Sequence, residues 1–283
     1  MPHTARLRSH PSNLIRVMPA KGGATSVPRA LTIATSDSGG GAGIQADLKA
    51  FAAAGVYGMS AIVALTAQNT KDVTAVYELP PDFIRAQLHA VFDDIGVDAA
   101  KTGMLFSKTI VDTVADFLHQ RRVPLVVDPV MIASSGAKLL LDDAVDTLVS
   151  RLFPLATVVT PNLSEAVALA GFEGSRRELA ERLHELGAPA VIVTGGHGDE
   201  AVDHLLADGR HLEIPVVRHD VPATHGAGCT HSATLAALLG KGVPLEEAAR
   251  EAARVASEAV RNGLTDVGRG EGPVDVLNLS GEA

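Results

Sequence analysis

Residues 30–51 read Ala30-Leu31-Thr32-Ile33-Ala34, then Thr35-Ser36-Asp37-Ser38-Gly39-Gly40-Gly41-Ala42-Gly43, then Ile44-Gln45-Ala46-Asp47-Leu48-Lys49-Ala50-Phe51. A short β-branched apolar run passes through a glycine-rich turn into a segment whose Ile44, Leu48 and Phe51 fall on one helical stripe. A buried strand that opens into a helix in this way is the unit of a mostly parallel sheet. The same alternation continues down the chain. Strands are predicted at Ala30–Ala34, Met59–Leu65, Leu125–Val127, Thr157–Val159 and Val191–Val193, and helices at Ala42–Ala54, Asp82–Ile95, Ser107–Gln120, Asp142–Leu152 and Ser175–Leu186. Thr74–Leu79, Glu200–Ala207 and Arg210–Pro215 read as further strands, and Cys229–Gly240 and Pro244–Arg261 as two closing helices. The expected fold is one α/β domain over 30–283, a mostly parallel central sheet with helices on both faces. Residues 1–29 stand apart as a basic extension, with Arg6, Arg8, Arg16, Lys21 and Arg29 and no acidic residue. They lack the apolar core of a secretory signal and are expected to be a flexible tail without a functional role.

Composition narrows the function classes. The chain has 283 residues, 46% of them hydrophobic, and a net charge of −9. That charge argues against a protein that coats nucleic-acid phosphates. No run nears the roughly 18 apolar residues of a membrane span. Cys229 is the single cysteine, so no internal disulfide or multi-cysteine zinc site can form. A reducing, cytoplasmic setting is expected.

In a parallel sheet, ligands gather at the carboxyl ends of the strands. The residues that follow each strand therefore carry the functional argument. The glycine turn at 39–43 could let the backbone approach an anion at a helix start. It is equally a plain strand-to-helix turn, and it fits neither the dinucleotide fingerprint nor a P-loop. Asp47 flanks the apolar stripe of its helix, so its carboxylate needs a partner. A salt bridge and a ligand amine both satisfy that need. Gln68, after the second strand, offers a donor and an acceptor suited to the edge of an amino-heterocycle. Asp128, in Asp128-Pro129-Val130-Met131, can hold a metal or cap a turn. Asn162 and Glu165 have the spacing of a capping box, and an acid and an amide there could also organise Mg²⁺ through water. Thr194-Gly195-Gly196-His197 follows another strand. In Thr224-His225-Gly226-Ala227-Gly228-Cys229-Thr230, the amides of Gly226 to Gly228 could form an anion nest at a helix start. The helix dipole would then lower the Cys229 thiol pKa.

Together, in this order, the motifs resemble those of the hydroxymethylpyrimidine/phosphomethylpyrimidine kinases, members of the ribokinase-like superfamily. The resemblance runs from Leu31 to about Leu277. It takes in the glycine turn with Asp47, Ala67-Gln68-Asn69-Thr70, Lys101-Thr102-Gly103-Met104-Leu105, Asp128-Pro129-Val130-Met131 and Thr160-Pro161-Asn162. It continues through Gly195-Gly196-His197 and the 224–230 motif to Gly268-Arg269-Gly270-Glu271-Gly272-Pro273-Val274. The resemblance implies a ribokinase-like three-layer sandwich and ATP-dependent phosphorylation of 4-amino-5-hydroxymethyl-2-methylpyrimidine and of its monophosphate. It implies ATP and Mg²⁺ as the nucleotide and metal, and a homodimer with small-molecule partners only. By the same resemblance Asp47, Gln68, Met104, Val130 and Gly43 bind the pyrimidine. Gly226, Ala227, Gly228 and Cys229 serve phosphoryl transfer, with Cys229 as a thiolate accepting the hydroxyl proton or holding its hydrogen bond. Asn162, Glu165, Thr194 and Gly196 face ATP and its phosphates, with Asp128 and Glu165 acting on Mg²⁺ through water. Departures from the family pattern are Thr35 for Gly, Gly39 for Ser, Ser134 for Lys, Thr194 for Lys, and His231 for an apolar residue. His231 is expected to pack uncharged against its helix neighbours. A pyridoxal kinase and a catalytically silent pyrimidine-binding regulator remain as alternatives.

Overall fold

Along the central strands, successive side chains serve two different cores. The computed structural model describes residues 27–131, 140–196 and 200–281. Ser134 and His197, named above, lie outside the described residues. Strand β1 (Arg29–Asp37) sends Leu31 and Ile33 to one side, where they pack with Ile84 and Leu88 of α2 (Pro81–Ala90) and Ile110 and Val114 of α3 (Lys108–Gln120). Ala30 faces the other side, with Phe51 of α1 (Gly43–Ala53), Leu235 of α7 (Ala227–Gly240) and Ala252 of α8 (Leu245–Arg261). In β5 (Leu125–Val127), Leu125 and Val127 join the first core and Val126 the second. Both faces are thus covered, which is why these strands read as continuous apolar runs rather than alternating ones.

The remaining strands are β2 (Tyr57–Gln68), β3 (Val73–Glu78), β4 (Ala99–Thr102), β6 (Val158–Val159), β7 (Val191–Val193), β8 (Val202–Ala207) and β9 (Arg210–Pro215). The sheet order is β3-β2-β1-β4-β5-β6-β7-β8-β9. The pairings from β2 through β1, β4, β5 and β6 to β7 are parallel. The outer pairings β2–β3, β7–β8 and β8–β9 are antiparallel. Helices α4 (Asp142–Leu152), α5 (Leu163–Ala170) and α6 (Arg176–Glu185) complete the layers. The three-layer α/β arrangement is the expected one.

Several boundaries differ for local reasons. β1 opens at Arg29, whose guanidinium pairs with Asp98 at 2.8 Å, so the ordered strand begins one residue before its apolar run. The helix expected over Asp82–Ile95 is α-helical only to Ala90; Val91–Ile95 form a π-turn that Gly96 ends at φ 83°. β4 has no counterpart among the expected strands, because four residues with a lysine at their centre carry little apolar signal.

Candidate active site

Two glycine-bearing turns meet at the carboxyl ends of β1 and β4. The first, Gly39–Gly43, is closed from within. Asp37 ends β1, and its carboxylate accepts from the amides of Gly39 (2.7 Å), Gly41 (3.0 Å) and Ala42 (2.8 Å). Of the two readings of this turn, the plain strand-to-helix turn is the one observed, since its own carboxylate takes those amides. His225 Nε2 lies 3.2 Å from the same carboxylate. Burial works against ionisation of Asp37, but His225 and the amides outweigh it and hold the carboxyl below its ordinary range.

The second turn, at the start of α7, is open. Gly226 sits in the left-handed region at φ 87°, and a Cβ there would lie 2.0 Å from the Gly41 carbonyl oxygen. Only glycine lets the two turns touch. The Ala227 amide donates to the Thr224 carbonyl at 3.1 Å, which removes it from the expected nest. The amides of Gly228 and Cys229, by contrast, meet no acceptor among the described residues. The amides without an acceptor thus lie one residue further along than expected, in the first turn of α7, where a helix dipole favours an anion.

Under both turns lies a buried charged cluster. Thr32 on β1 and Lys101 on β4 are paired neighbours of the sheet and face the α1/α7 side. The Lys101 ammonium, fully buried, reaches Asp47 of α1 at 2.9 and 3.1 Å and Asp128, after β5, at 3.6 Å. Thr32 Oγ1 donates to Asp47 at 2.6 Å, and Ser232 Oγ of α7 donates to Asp128 at 2.7 Å. Burial alone would lower the Lys101 pKa, but Asp47 and Asp128 outweigh it and hold the ammonium above its ordinary value. Burial pushes the Asp47 carboxyl up, opposed by Lys101 and Thr32. With donors on both of its oxygens, Asp47 is the anionic partner of Lys101. Of the two readings of Asp47, the salt bridge is the one observed: the carboxylate is 0% exposed and its oxygens are spent on Lys101 and Thr32. It does not present itself to a ligand amine.

Cys229 retains partial exposure as a residue, but its thiol is enclosed by protein. Burial pushes that thiol up to about 12, with Lys101 and the Gly43 amide opposing and Asp47 and Asp128 reinforcing the rise. Enclosure thus works against the expected thiolate. Gly43 meets this thiol through its amide and is itself locked at φ 56°, where a Cβ would strike the Thr35 carbonyl at 2.4 Å.

The remaining predicted residues border the same edge. Gln68 accepts from Thr66 Oγ1 at 3.0 Å, and its Nε2 lies 3.5 Å from His225. Met104 is buried, and its carbonyl accepts from the amide and the hydroxyl of Thr35. Val130 is half-buried just beyond Asp128. Asn162 and Glu165 form the capping box of α5, with 2.9 Å bonds in both directions. Glu165 also accepts from Met131 at 3.4 Å, and burial together with nearby Asp128 pushes its carboxyl up to about 8. The Thr194 amide donates to the Pro161 carbonyl at 3.0 Å, and Gly196 is exposed beside it. Among the described residues no group of three or more His, Cys, Asp or Glu side chains is arranged to hold a metal. No helix among them is long and apolar enough to cross a membrane.

Lys101, Asp37, His225, Ser232 and Gln45 were not singled out from sequence. Gln45, half-buried, accepts from the Asp37 amide at 2.9 Å and donates to Ser36 at 2.7 Å. For Lys101 a signal existed: a lysine inside an apolar strand requires a buried acid, and Asp47 lacked a partner.

The sequence profile of the phosphomethylpyrimidine kinase family matches residues 37–275. The hydroxymethylpyrimidine/phosphomethylpyrimidine kinase of Rhizobium meliloti is 49% identical over 254 residues, covering 87% of this chain and 95% of its own. A crystal structure of phosphomethylpyrimidine kinase from Clostridium difficile superposes with a TM-score of 0.74 at 40% identity, over 83% of this chain and all of that one. The ADP complex of Bacillus subtilis pyridoxal kinase gives a TM-score of 0.82 at 38% identity, over 90% of this chain and 99% of that one. These structures share their ribokinase-like architecture with the chain. The chain therefore belongs to the phosphomethylpyrimidine kinase family, and its chemistry is phosphoryl transfer.

Proposed function

We propose that this chain transfers the γ-phosphoryl group of ATP to the hydroxymethyl group of 4-amino-5-hydroxymethyl-2-methylpyrimidine, and a second phosphoryl group to the resulting monophosphate. The observation that carries the proposal is the open start of α7, where the amides of Gly228 and Cys229 have no acceptor among the described residues while the abutting glycine turn is internally closed. Phosphoryl transfer requires mainly positioning and charge neutralisation, and a pre-aimed pair of amides supplies both. The two amides hold the transferring group. Cys229, as a neutral thiol, orients the acceptor hydroxyl. Gln68, at the wet end of the His225–Asp37 pair, hydrogen-bonds the ring edge, with Met104 and Val130 against its face. Asn162, Thr194 and Gly196 border the nucleotide.

The carboxylates of Asp128 and Glu165 suit Mg²⁺. Both offer only hard oxygen, they are close enough that Asp128 raises Glu165, and a divalent cation would relieve that repulsion. Asp128 and Glu165 would hold Mg²⁺ through water, and the ion would supply neutralisation of phosphate charge there. A homodimer and a cytoplasmic setting belong to the same proposal. β3 is the outer strand of the sheet, and Leu65 and its paired neighbour Tyr77 are 42% and 65% exposed there. The test is mass spectrometry of products from ATP, Mg²⁺ and the hydroxymethylpyrimidine, with pyridoxal as competitor. Monophosphate and then diphosphate of the pyrimidine are expected. Phosphorylation of pyridoxal alone, or no ATP consumption, overturns the assignment.

A further inference from the structure

On the nucleotide side, one buried carboxylate ties a loop to the helix that carries the nest. The loop Thr194–Gly196 follows β7, and both polar groups of its Gly195 are gripped by charged side chains. The Gly195 amide donates to Asp203 Oδ1 of β8 at 2.6 Å, and its carbonyl accepts from Arg218 Nε and Nη2 at 3.0 and 2.6 Å. A Cβ on Gly195 would lie 2.3 Å from the Val202 carbonyl, so the loop backbone is pressed directly onto the start of β8. The other oxygen of Asp203 lies 3.2 Å from His231 Nε2 of α7, and both side chains are almost wholly buried. That contact is within ion-pair range without being aligned as a hydrogen bond, and His231 Nδ1 meets no hydrogen-bond partner. His231 lies two residues beyond Cys229. Burying an imidazole neither of whose ring nitrogens is hydrogen-bonded is costly, and the contact to Asp203 offsets that cost.

We propose that Asp203 and His231 are positioning residues that fix the Thr194–Gly196 loop relative to the amide nest of α7, and thereby set how ATP is held. This rests on the proposed ATP-dependent function for its choice of ligand. Neither side chain need touch the nucleotide; the carboxylate sets the position of one peptide, and the imidazole sets the position of the carboxylate. Displacing positioning groups by a fraction of an ångström is enough to weaken a site of this kind.

The test compares His231→Leu, Asp203→Asn, the double variant and His231→Gln, which keeps an N–H donor. Two readouts are used: calorimetric binding of a non-hydrolysable ATP analogue with Mg²⁺, and separate KM values for ATP and for the pyrimidine. His231→Leu and Asp203→Asn should each weaken analogue binding and raise the ATP KM roughly tenfold, leaving the pyrimidine KM unchanged. The double variant should be no worse than either single one, and His231→Gln should recover most of the affinity. Should His231→Leu fail to fold around a lone carboxylate, the double variant, which buries none, carries the test. Analogue binding within twofold of the wild type in the double variant overturns the inference, whatever its thermal stability. Failure of the functional reading looks different: the wild type would not phosphorylate the pyrimidine, while the analogue affinities of the variants would still diverge.

Discussion

The turns at Gly39–Gly43 and Gly226–Gly228 have similar composition, each opens a helix, and they touch, yet their chemistry is opposite. In the first, Asp37 supplies an internal anion, and the amides of Gly39, Gly41 and Ala42 are consumed by it. In the second no acid stands in the turn, and the amides of Gly228 and Cys229 meet no acceptor among the described residues. A glycine-rich helix start therefore becomes an anion site only where the chain withholds its own carboxylate. The closed turn acts as a brace: its Gly41 carbonyl backs the Gly226 Cα, and its Gly43 amide faces the Cys229 thiol.

The largest expected effect comes from separating the two turns. Gly226→Ala places a methyl group 2.0 Å from the Gly41 oxygen and forces alanine to φ 87°. Turnover should fall by about two orders of magnitude or more, the scale of losing one oriented donor, in a steady-state phosphoryl-transfer assay. Near-normal turnover would mean that the contact between the turns has no bearing on the nest. Next is removal of the internal anion. Asp37→Ala leaves three amides and His225 without their acceptor, and should cost about 2–4 kcal/mol in denaturant unfolding, as expected for losing hydrogen bonds to a charged group. The amides freed at 39–42 should not make a second anion site: the variant should bind phosphate no better than the wild type, because the turn loses the anion that shapes it.

A smaller effect separates two carboxylates that both accept backbone amides near the site. Asp37 is held below its ordinary pKa, so its contribution to stability is present above the unfolded value and is lost as pH falls through the folded one. Glu165 is pushed up to about 8 from 4.5. Between those values the folded chain holds a proton that the unfolded chain has released, so this group's contribution falls as pH rises through that window. Thermal melts of Glu165→Gln without Mg²⁺ should lose less stability from pH 5 to 8 than the wild type. Added Mg²⁺ should narrow the difference, because it favours the ionised carboxylate. Parallel pH curves for the two proteins would remove Glu165 from this account.

How much of this was legible beforehand follows from distance along the chain. The strand–turn–helix of residues 30–51, the capping box of Asn162 and Glu165, and the parallel layers are written in local spacing, and the structure has them. Asp47 was recognisable as an acid in need of a partner, but Lys101 lies 54 residues away in a strand too short to announce itself. Asp37 and His225 are 188 residues apart, so the sequence displayed an aspartate in a glycine turn without saying that it fills that turn. The Cys229 thiol follows the same rule. Its place at a helix start is local, whereas the carboxylates that push it up, Asp47 and Asp128, come from α1 and the end of β5.

The smallest effect sharpens the contrast within the open turn itself. Gly228, unlike Gly226, has no positive φ, and a Cβ built on it meets nothing within 4 Å. It lies in the first turn of α7, where glycine sacrifices conformational entropy that alanine would not. Gly228→Ala keeps the amide and should stabilise the fold by about 0.4–1 kcal/mol in urea unfolding. Glycine at 226 is thus demanded by backbone geometry and contact, whereas at 228 the requirement is for open space over the amide. If that space is where the phosphoryl group sits, the stabilised variant should turn over more slowly even as it melts later. Stability and turnover rising together would show that the region above Gly228 is not occupied during transfer, and the nest would have to be centred on the Cys229 amide alone.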